Sequence, residues 1–201
     1  MNAPTDEELL AEYLSGDVAS FELLVRRHMR ELHQFALRFT ADSVAAEDVV
    51  QETLIQLHTS AHKFDPARRF KPWLFTIAAN KARDYLRRRT RKRELPIDAY
   101  VEHDGDAGQR FIDLFSAAPR SPDDDLLLEE KRRLVKSAVD EVPQRLREVL
   151  ILAYYHRFPY REMAEILDVP LGTIKSRLHA AVVRFAECYE EAVRSKTEQE
   201  P

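Results

Sequence analysis

Only four glycines, Gly16, Gly105, Gly108 and Gly172, occur in 201 residues, too few to supply the turns of a sheet-rich chain. Between them run stretches dense in Leu, Ala, Glu and Arg, side chains that lose little freedom in a helix. The residues therefore predict an all-α protein. The length leaves one domain or two open, and an apolar share of 44% is enough for one or two small cores.

Periodicity divides the chain. Thr5 and Glu8 have the spacing of a capping box, so a first helix starts at Thr5 and ends at Ser15-Gly16-Asp17. Phe21, Leu24, Val25, His28, Leu32, Phe35, Ala36 and Phe39 then recur at three- and four-residue intervals, one apolar stripe on a second helix. After a break at Asp42-Ser43, a third helix turns Val49, Val50, Thr53, Leu54 and Leu57 inward and leaves an acidic outer face. Asp65-Pro66 interrupts the chain again. A fourth helix is expected from near Pro72, burying Leu74, Ile77, Ala78, Tyr85 and Leu86. From 94 to 122 the pattern dissolves into Pro, Gly and Asp, the composition of an interdomain linker. Helical spacing returns with Leu127, Leu134, Val135, Ala138 and Val139, then after Pro143 with Leu146, Val149, Leu150 and Ala153. Two small helical domains, residues 1–93 and 123–192, joined by a flexible linker and followed by a short tail at 193–201, are the organisation this implies.

A net charge of −4, taken globally, disfavours a polyanionic partner. Charge is segregated, however: positive from Arg83 to Arg93, negative from Glu47 to Glu52 and Asp123 to Asp125. Separate faces of opposite sign are expected. The single cysteine, Cys188, has no partner for a disulfide and no neighbours at metal-site spacing. No charged-then-apolar leader opens the chain and no apolar run nears the roughly 20 residues of a membrane span, so a cytoplasmic protein without membrane insertion is expected.

The segment Tyr160 to His179 reads as two short helices at a sharp angle. Met163, Ala164 and Leu167 face inward on the first, and the small Ala164 permits a close crossing. Asp168 to Gly172 breaks the helix, Thr173 can cap the next, and Ile174 and Leu178 anchor it. Lys175, Ser176, Arg177 and His179 then point largely outward. In a major groove such side chains reach base edges and phosphates. A lone Lys-Ser-Arg would be no more than a solvated face; the helix-turn-helix pattern around it favours duplex DNA.

Lys81, Arg83, Arg87, Arg88, Arg89, Arg91, Lys92 and Arg93 follow Trp73, Phe75 and Asn80 on the fourth helix. Guanidinium groups beside rings or an amide suit single-stranded nucleic acid, although each aromatic is also a natural core anchor. Asp84 relieves only one of these charges. On the third helix Asp48, Gln51 and Glu52 share a face with Glu47 at its flank. Such carboxylates can serve catalysis or metal binding, yet no nucleophile or His stands beside them, and a docking face for a basic partner needs nothing more. His58 and His62 have zinc-compatible spacing but lack the Glu of a HExxH pair, which leaves a surface pair at a helix end. No catalytic residue, metal or cofactor is assigned.

These segments, in this order, resemble the extracytoplasmic-function (ECF) sigma factors of bacterial RNA polymerase. Glu47-Asp48-Val-Val-Gln51-Glu52-Thr is similar to their core-polymerase-binding helix. Phe70-Lys-Pro-Trp73 through Asn80-Lys-Ala-Arg83-Asp84-Tyr85-Leu-Arg-Arg is similar to the part that melts and reads the minus-ten element. Val142-Pro143-Gln-Arg145-Leu-Arg-Glu148-Val-Leu150 and the helix-turn-helix through Leu178 resemble the domain that reads the minus-thirty-five element.

The resemblance implies that Asp48, Gln51 and Glu52 dock on the beta and beta-prime subunits of core polymerase. Asn80, Lys81, Arg83, Arg87 and Arg88 would hold the non-template strand, and Thr173, Lys175, Ser176, Arg177 and His179 the upstream duplex. It implies an anti-sigma partner, and a linker threading toward the polymerase active-centre cleft. Pro159 stands where the family has a capping Ser or Thr, Asp168 where Gly is common, and Ala180 and Ala181 where basic residues are frequent. Two rivals make different demands. A stand-alone regulator with this motif needs a sensory domain in the first half, and a helical hydrolase using Glu47 to Glu52 needs a divalent metal.

Overall fold

In the computed structural model of the chain, residues 3–90 and 122–197 are described, and every regular element among them is helical. Arg91, Lys92, Arg93 and the expected linker up to its last residue lie outside the described residues. The described residues form two compact units, the first comprising those before residue 98 together with 161–169, the second the remainder.

Among the described residues four helices precede residue 98: α1 (Asp6–Leu14), α2 (Val18–Thr40), α3 (Ser43–Ser60) and α4 (Phe70–Thr90), with a 3-10 turn at Ala61–Lys63. Their starts follow from local chemistry. Thr5 Oγ1 accepts from the Glu8 amide and Glu8 Oε2 accepts from the Thr5 amide, so the capping box closes in both directions. Asp17 caps α2 through the Ala19 amide, and Asp42 caps α3 through the amides of Val44 and Ala45. Each side chain satisfies amides that have no partner inside their own helix.

The stripe on α2 is the core of this unit. Leu24, His28, Leu32, Phe35, Ala36 and Phe39 are buried, while Phe21 and Val25 are half-buried. α2 packs on α1, α3 and α4, and the Phe35 ring lies 5.2 Å from both Phe39 and Phe75. α1 is locked onto α2 by Asp6, whose carboxylate accepts from Arg27 Nη1 at 2.6 Å and from His28 Nε2 at 2.7 Å.

α4 starts two residues before the expected Pro72, at Phe70. The missing signal was remote: the Phe70 amide donates to Glu7 Oε1 of α1 at 2.7 Å. Leu74, Ile77 and Ala78 are buried as expected, Tyr85 and Leu86 only half-buried.

The remaining described elements are α5 (Pro122–Glu141), α6 (Gln144–Leu150) running into one π turn at Ile151–Tyr155, α7 (Tyr160–Leu167) and α8 (Leu171–Thr197). α5 and α6 both pack on α8. Val135, Ala138, Val139, Val149, Leu150, Ile174, Leu178, Ala181, Val182 and Phe185 are buried. The half-buried Arg147 guanidinium donates to the carbonyls of Asp140 and Val142, closing the end of α5. Burial pulls its pKa below the ordinary value, with Asp140, Glu141 and Glu148 opposing. Burial likewise pushes the Cys188 thiol up, which disfavours the reactive thiolate.

Several local expectations change. Residues 193–197, expected as tail, continue α8. Thr173 does not cap α8: the helix begins at Leu171, and the amides of Thr173 and Ile174 donate to the Pro170 carbonyl. Gly172 sits inside the first turn with open space where a Cβ would stand, so the break does not depend on it. Asp168 makes the turn instead, at φ +52°, while the Val169 amide donates to the Ala164 carbonyl. Ala181 is fully buried, which accounts for the absence of a basic residue there.

Trp73, the single tryptophan, lies in α4, so its fluorescence reports the first unit. Urea unfolding followed this way should show Phe35→Ala destabilised by about 3–5 kcal/mol, the cost of emptying a filled aromatic site. Asp168→Gly should stabilise its unit by about 0.5–1 kcal/mol, because relief of left-handed strain exceeds the added chain entropy. A thermal midpoint raised by a few degrees checks this; a lowered one would show Asp168 to be held by more than its backbone angle.

Candidate nucleic-acid interface

α4 can expose a charged face only because its other face is filled. Leu74, Phe75, Ile77, Ala78, Ala79 and Ala82 are buried, and Asn80, Asp84, Arg87, Arg88 and Arg89 are exposed, with Arg83 and Lys81 half-buried. At 100° per residue, Asn80, Arg83 and Arg87 form one strip, whereas Lys81 and Arg88 lie one face round. Arg83 donates to Asn80 Oδ1 at 3.3 Å, and Arg87 pairs with Asp84 at 3.3 Å. These contacts orient the guanidiniums along the strip. Phe75 is removed from the set of stacking platforms, since it is 0% exposed and meets Phe35. Trp73 is half-buried, its ring 5.0 Å from Phe64. Lys63 and Arg68 are exposed in the segment before α4.

On α3, Asp48, Gln51 and Glu47 are exposed. Glu52 is half-buried, and its carboxylate meets Lys81 Nζ at 3.6 Å and Arg88 at 3.9 Å. Arg89 pairs with Asp42 at 3.4 Å. The expectation of separate acidic and basic faces is therefore corrected: packing of α3 on α4 makes them adjoin along a seam. The pairs are long and mostly solvated, so each contributes under about 1 kcal/mol. Two apolar residues flank the acidic face. Val44 is 67% and Ile55 57% exposed, and Val44, Asp48, Gln51 and Ile55 succeed one another by four, three and four residues on one side of the helix. Exposure of large aliphatics beside a polar patch marks a surface that meets a partner. Periodicity hid this, because an apolar residue on a helix is first counted toward the core.

At the start of α8, Ile174 and Leu178 are buried, while Lys175, Ser176 and His179 are exposed. Thr173 and Arg177, one turn apart, are half-buried on the adjoining flank. The five expected residues thus form two neighbouring strips. Leu171, 38% exposed, shares the strip of Lys175 and His179. Ser176 Oγ donates to the Thr173 carbonyl at 3.2 Å.

Of the two histidines read as a surface pair, His58 hydrogen-bonds the Tyr13 hydroxyl through Nδ1 at 2.6 Å, and His62 falls in the 3-10 turn. Among the described residues no group of three or more His, Cys, Asp or Glu side chains is placed to hold a metal ion. No helix among them is long and apolar enough to cross a membrane.

Residues 24–92 match the family Sigma-70 region 2, and residues 132–185 match Sigma-70, region 4. The first half, where a stand-alone regulator would need a sensory domain, is thus occupied by region 2. The ECF RNA polymerase sigma-E factor of Escherichia coli (strain K12) is 30% identical over 178 residues, covering 88% of this chain and 90% of the relative. Among solved structures, CnrH in complex with the cytosolic domain of CnrY superposes with a TM-score of 0.65 at 24% identity, covering 94% of this chain and 99% of that one. The sigma factor RpoE of Bartonella quintana, in complex with the anti-sigma factor NepR, gives 0.62 at 25% identity, covering 86% and 98%. The order of helices, the cationic face of α4, the turn before α8 and these matches lead to one conclusion: the chain belongs to the extracytoplasmic-function sigma factors.

Proposed function

We propose that the helices divide the work of promoter recognition in this sigma factor. Asn80, Lys81, Arg83, Arg87 and Arg88 of α4 hold the melted non-template strand of the minus-ten element. Lys175, Ser176, His179, Thr173 and Arg177 at the start of α8 read the minus-thirty-five duplex, with Leu171 positioned for a thymine methyl group. Asp48, Gln51 and Glu52 dock on core RNA polymerase, and Val44 and Ile55 give that contact an apolar component. The observation that carries the reading is the cationic strip of α4, fixed on a filled core and bearing an amide at its N-terminal end. Guanidinium groups neutralise backbone phosphates there while Asn80 meets a base edge.

Domains at 1–93 and 123–192 each offer a small basic surface, so each alone binds DNA weakly. Held on one polymerase, they act at high effective concentration on two promoter elements, and affinity rises without new contacts. Base capture by α4 then traps spontaneous opening of the duplex, a step that needs no catalytic residue or cofactor. The protein is read as a cytoplasmic initiation factor rather than an enzyme. The Bartonella quintana sigma factor RpoE was captured with the anti-sigma factor NepR, which supports an anti-sigma partner here as well.

Run-off transcription with purified core polymerase tests the function: transcripts from cognate promoters should appear only when this protein is added, and unaltered start-site choice would refute it. Arg177→Ala should lower promoter-dependent transcript about ten-fold through the lost duplex contact, and unchanged promoter occupancy counts against that role. Asp48→Lys should weaken co-purification with core polymerase about ten-fold while leaving binding to minus-ten single strands intact. Glu52→Lys should impair both, because Glu52 also faces Lys81 and Arg88. Full retention of polymerase by both variants rules out the docking face.

A further inference from the structure

The helix assigned to the melted strand is poorly equipped to begin by itself. An α-helix leaves its first amides without internal partners. In α4 the preceding residue is Arg69, which carries no acceptor, the first turn holds no acidic side chain, and Lys71 places a cation at the positive end of the helix dipole. Pro72 supplies no amide at all. Phe70 is 0% exposed, so water does not reach its backbone readily.

α1 supplies what is missing. Glu7 Oε1 accepts the Phe70 amide at 2.7 Å, across 63 positions of sequence. Glu31 of α2 pairs with Lys71 at 2.7 Å and offsets the misplaced cation. Glu7 is held against α4 through its neighbour Asp6, which Arg27 and His28 of α2 engage, while Glu8 closes the capping box of α1. Three consecutive carboxylates thus have three tasks. Glu8 starts α1, Asp6 fastens it to α2, and Glu7 starts α4.

We propose that Glu7 is a positioning residue for promoter opening: its carboxylate fixes the first turn of α4 and so the rotation at which Asn80, Arg83 and Arg87 meet the displaced strand. The proposal rests on the assignment of α4 to the minus-ten element. Glu7 touches no nucleic acid and acts only through the helix it begins.

The test uses the full chain with substitutions Glu7→Ala, Glu7→Gln, Glu8→Ala and Asn80→Ala. Three quantities are measured: exchange of the Phe70 amide, retention of core polymerase, and yield of open complex on a duplex promoter. Glu7→Ala should speed Phe70 exchange and lower open-complex yield, each by about five-fold, the usual effect of removing a cap, with polymerase binding unchanged. Glu7→Gln keeps an acceptor oxygen and should restore most of both. Glu8→Ala weakens the start of α1 but should leave Phe70 protected and opening intact. Equal loss of opening in Glu8→Ala and Glu7→Ala would mean that general loosening of α1 is responsible, and the proposal fails. Faster Phe70 exchange with full opening in Glu7→Ala, while Asn80→Ala is defective, sinks the positioning role alone. Full opening in Asn80→Ala as well removes the α4 assignment and the proposal with it.

Discussion

The apolar stripe of α2 is the constraint from which the first unit follows. Six residues from Leu24 to Phe39 are buried on one side of a 23-residue helix, and a large side chain gains about 1.5–3 kcal/mol from full burial. Three helices must cover that stripe, and each contributes the face that fits it. α3 turns Val49, Thr53 and Leu57 inward, α4 turns Leu74, Phe75 and Ala78 inward. What remains outward is therefore determined by the core: acids on α3, an amide and guanidiniums on α4. Function on this scaffold is written in the residues that packing leaves over.

Polar contacts set the finer geometry. Those near the surface, such as Glu52 with Lys81 and Arg88, are too long and too solvated to hold helices together. Their effect is electrostatic: the carboxylate lowers the local field at one edge of the cationic strip. The contacts near the core differ. Asp6 with His28, Glu7 with Phe70, and Arg147 with the carbonyls that end α5 all satisfy groups with restricted access to water. Leaving such a group unpaired costs more than the bond itself contributes.

Most of the helices were legible in the residues, because helix signals are local. The capping box at Thr5, the stripe of α2, the break at Asp42 and the restart after Pro143 depend on neighbours within four positions. Three features that local patterns do not settle share a cause. α4 begins early because of an acceptor on another helix, Glu52 meets α4 because two helices pack, and Phe75 is buried because Phe35 lies across from it. None of these partners stands within a turn of the residue it governs. At the site, residue types and helical phase identified the charged strips, whereas the exposed Val44, Ile55 and Leu171 were invisible to a reading that assigns aliphatics to cores. Thr173 was misjudged as a cap because the helix starts at Leu171, after Pro170, a residue that offers no side-chain acceptor.

α8 runs unbroken for 27 residues, about 40 Å at the usual rise. Its first turns present Lys175 and His179, and its middle, at Val182 and Phe185, lies in the core against α5 and α6. Nothing hinges between the two, since no glycine or proline follows Gly172 within the helix. The helix is consequently a lever whose fulcrum is its own hydrophobic packing. A tilt of some five degrees imposed at the far end would sweep the opposite tip by ~2 Å, given arms of roughly 20 Å, several times the roughly 0.5 Å range over which a hydrogen bond holds its length.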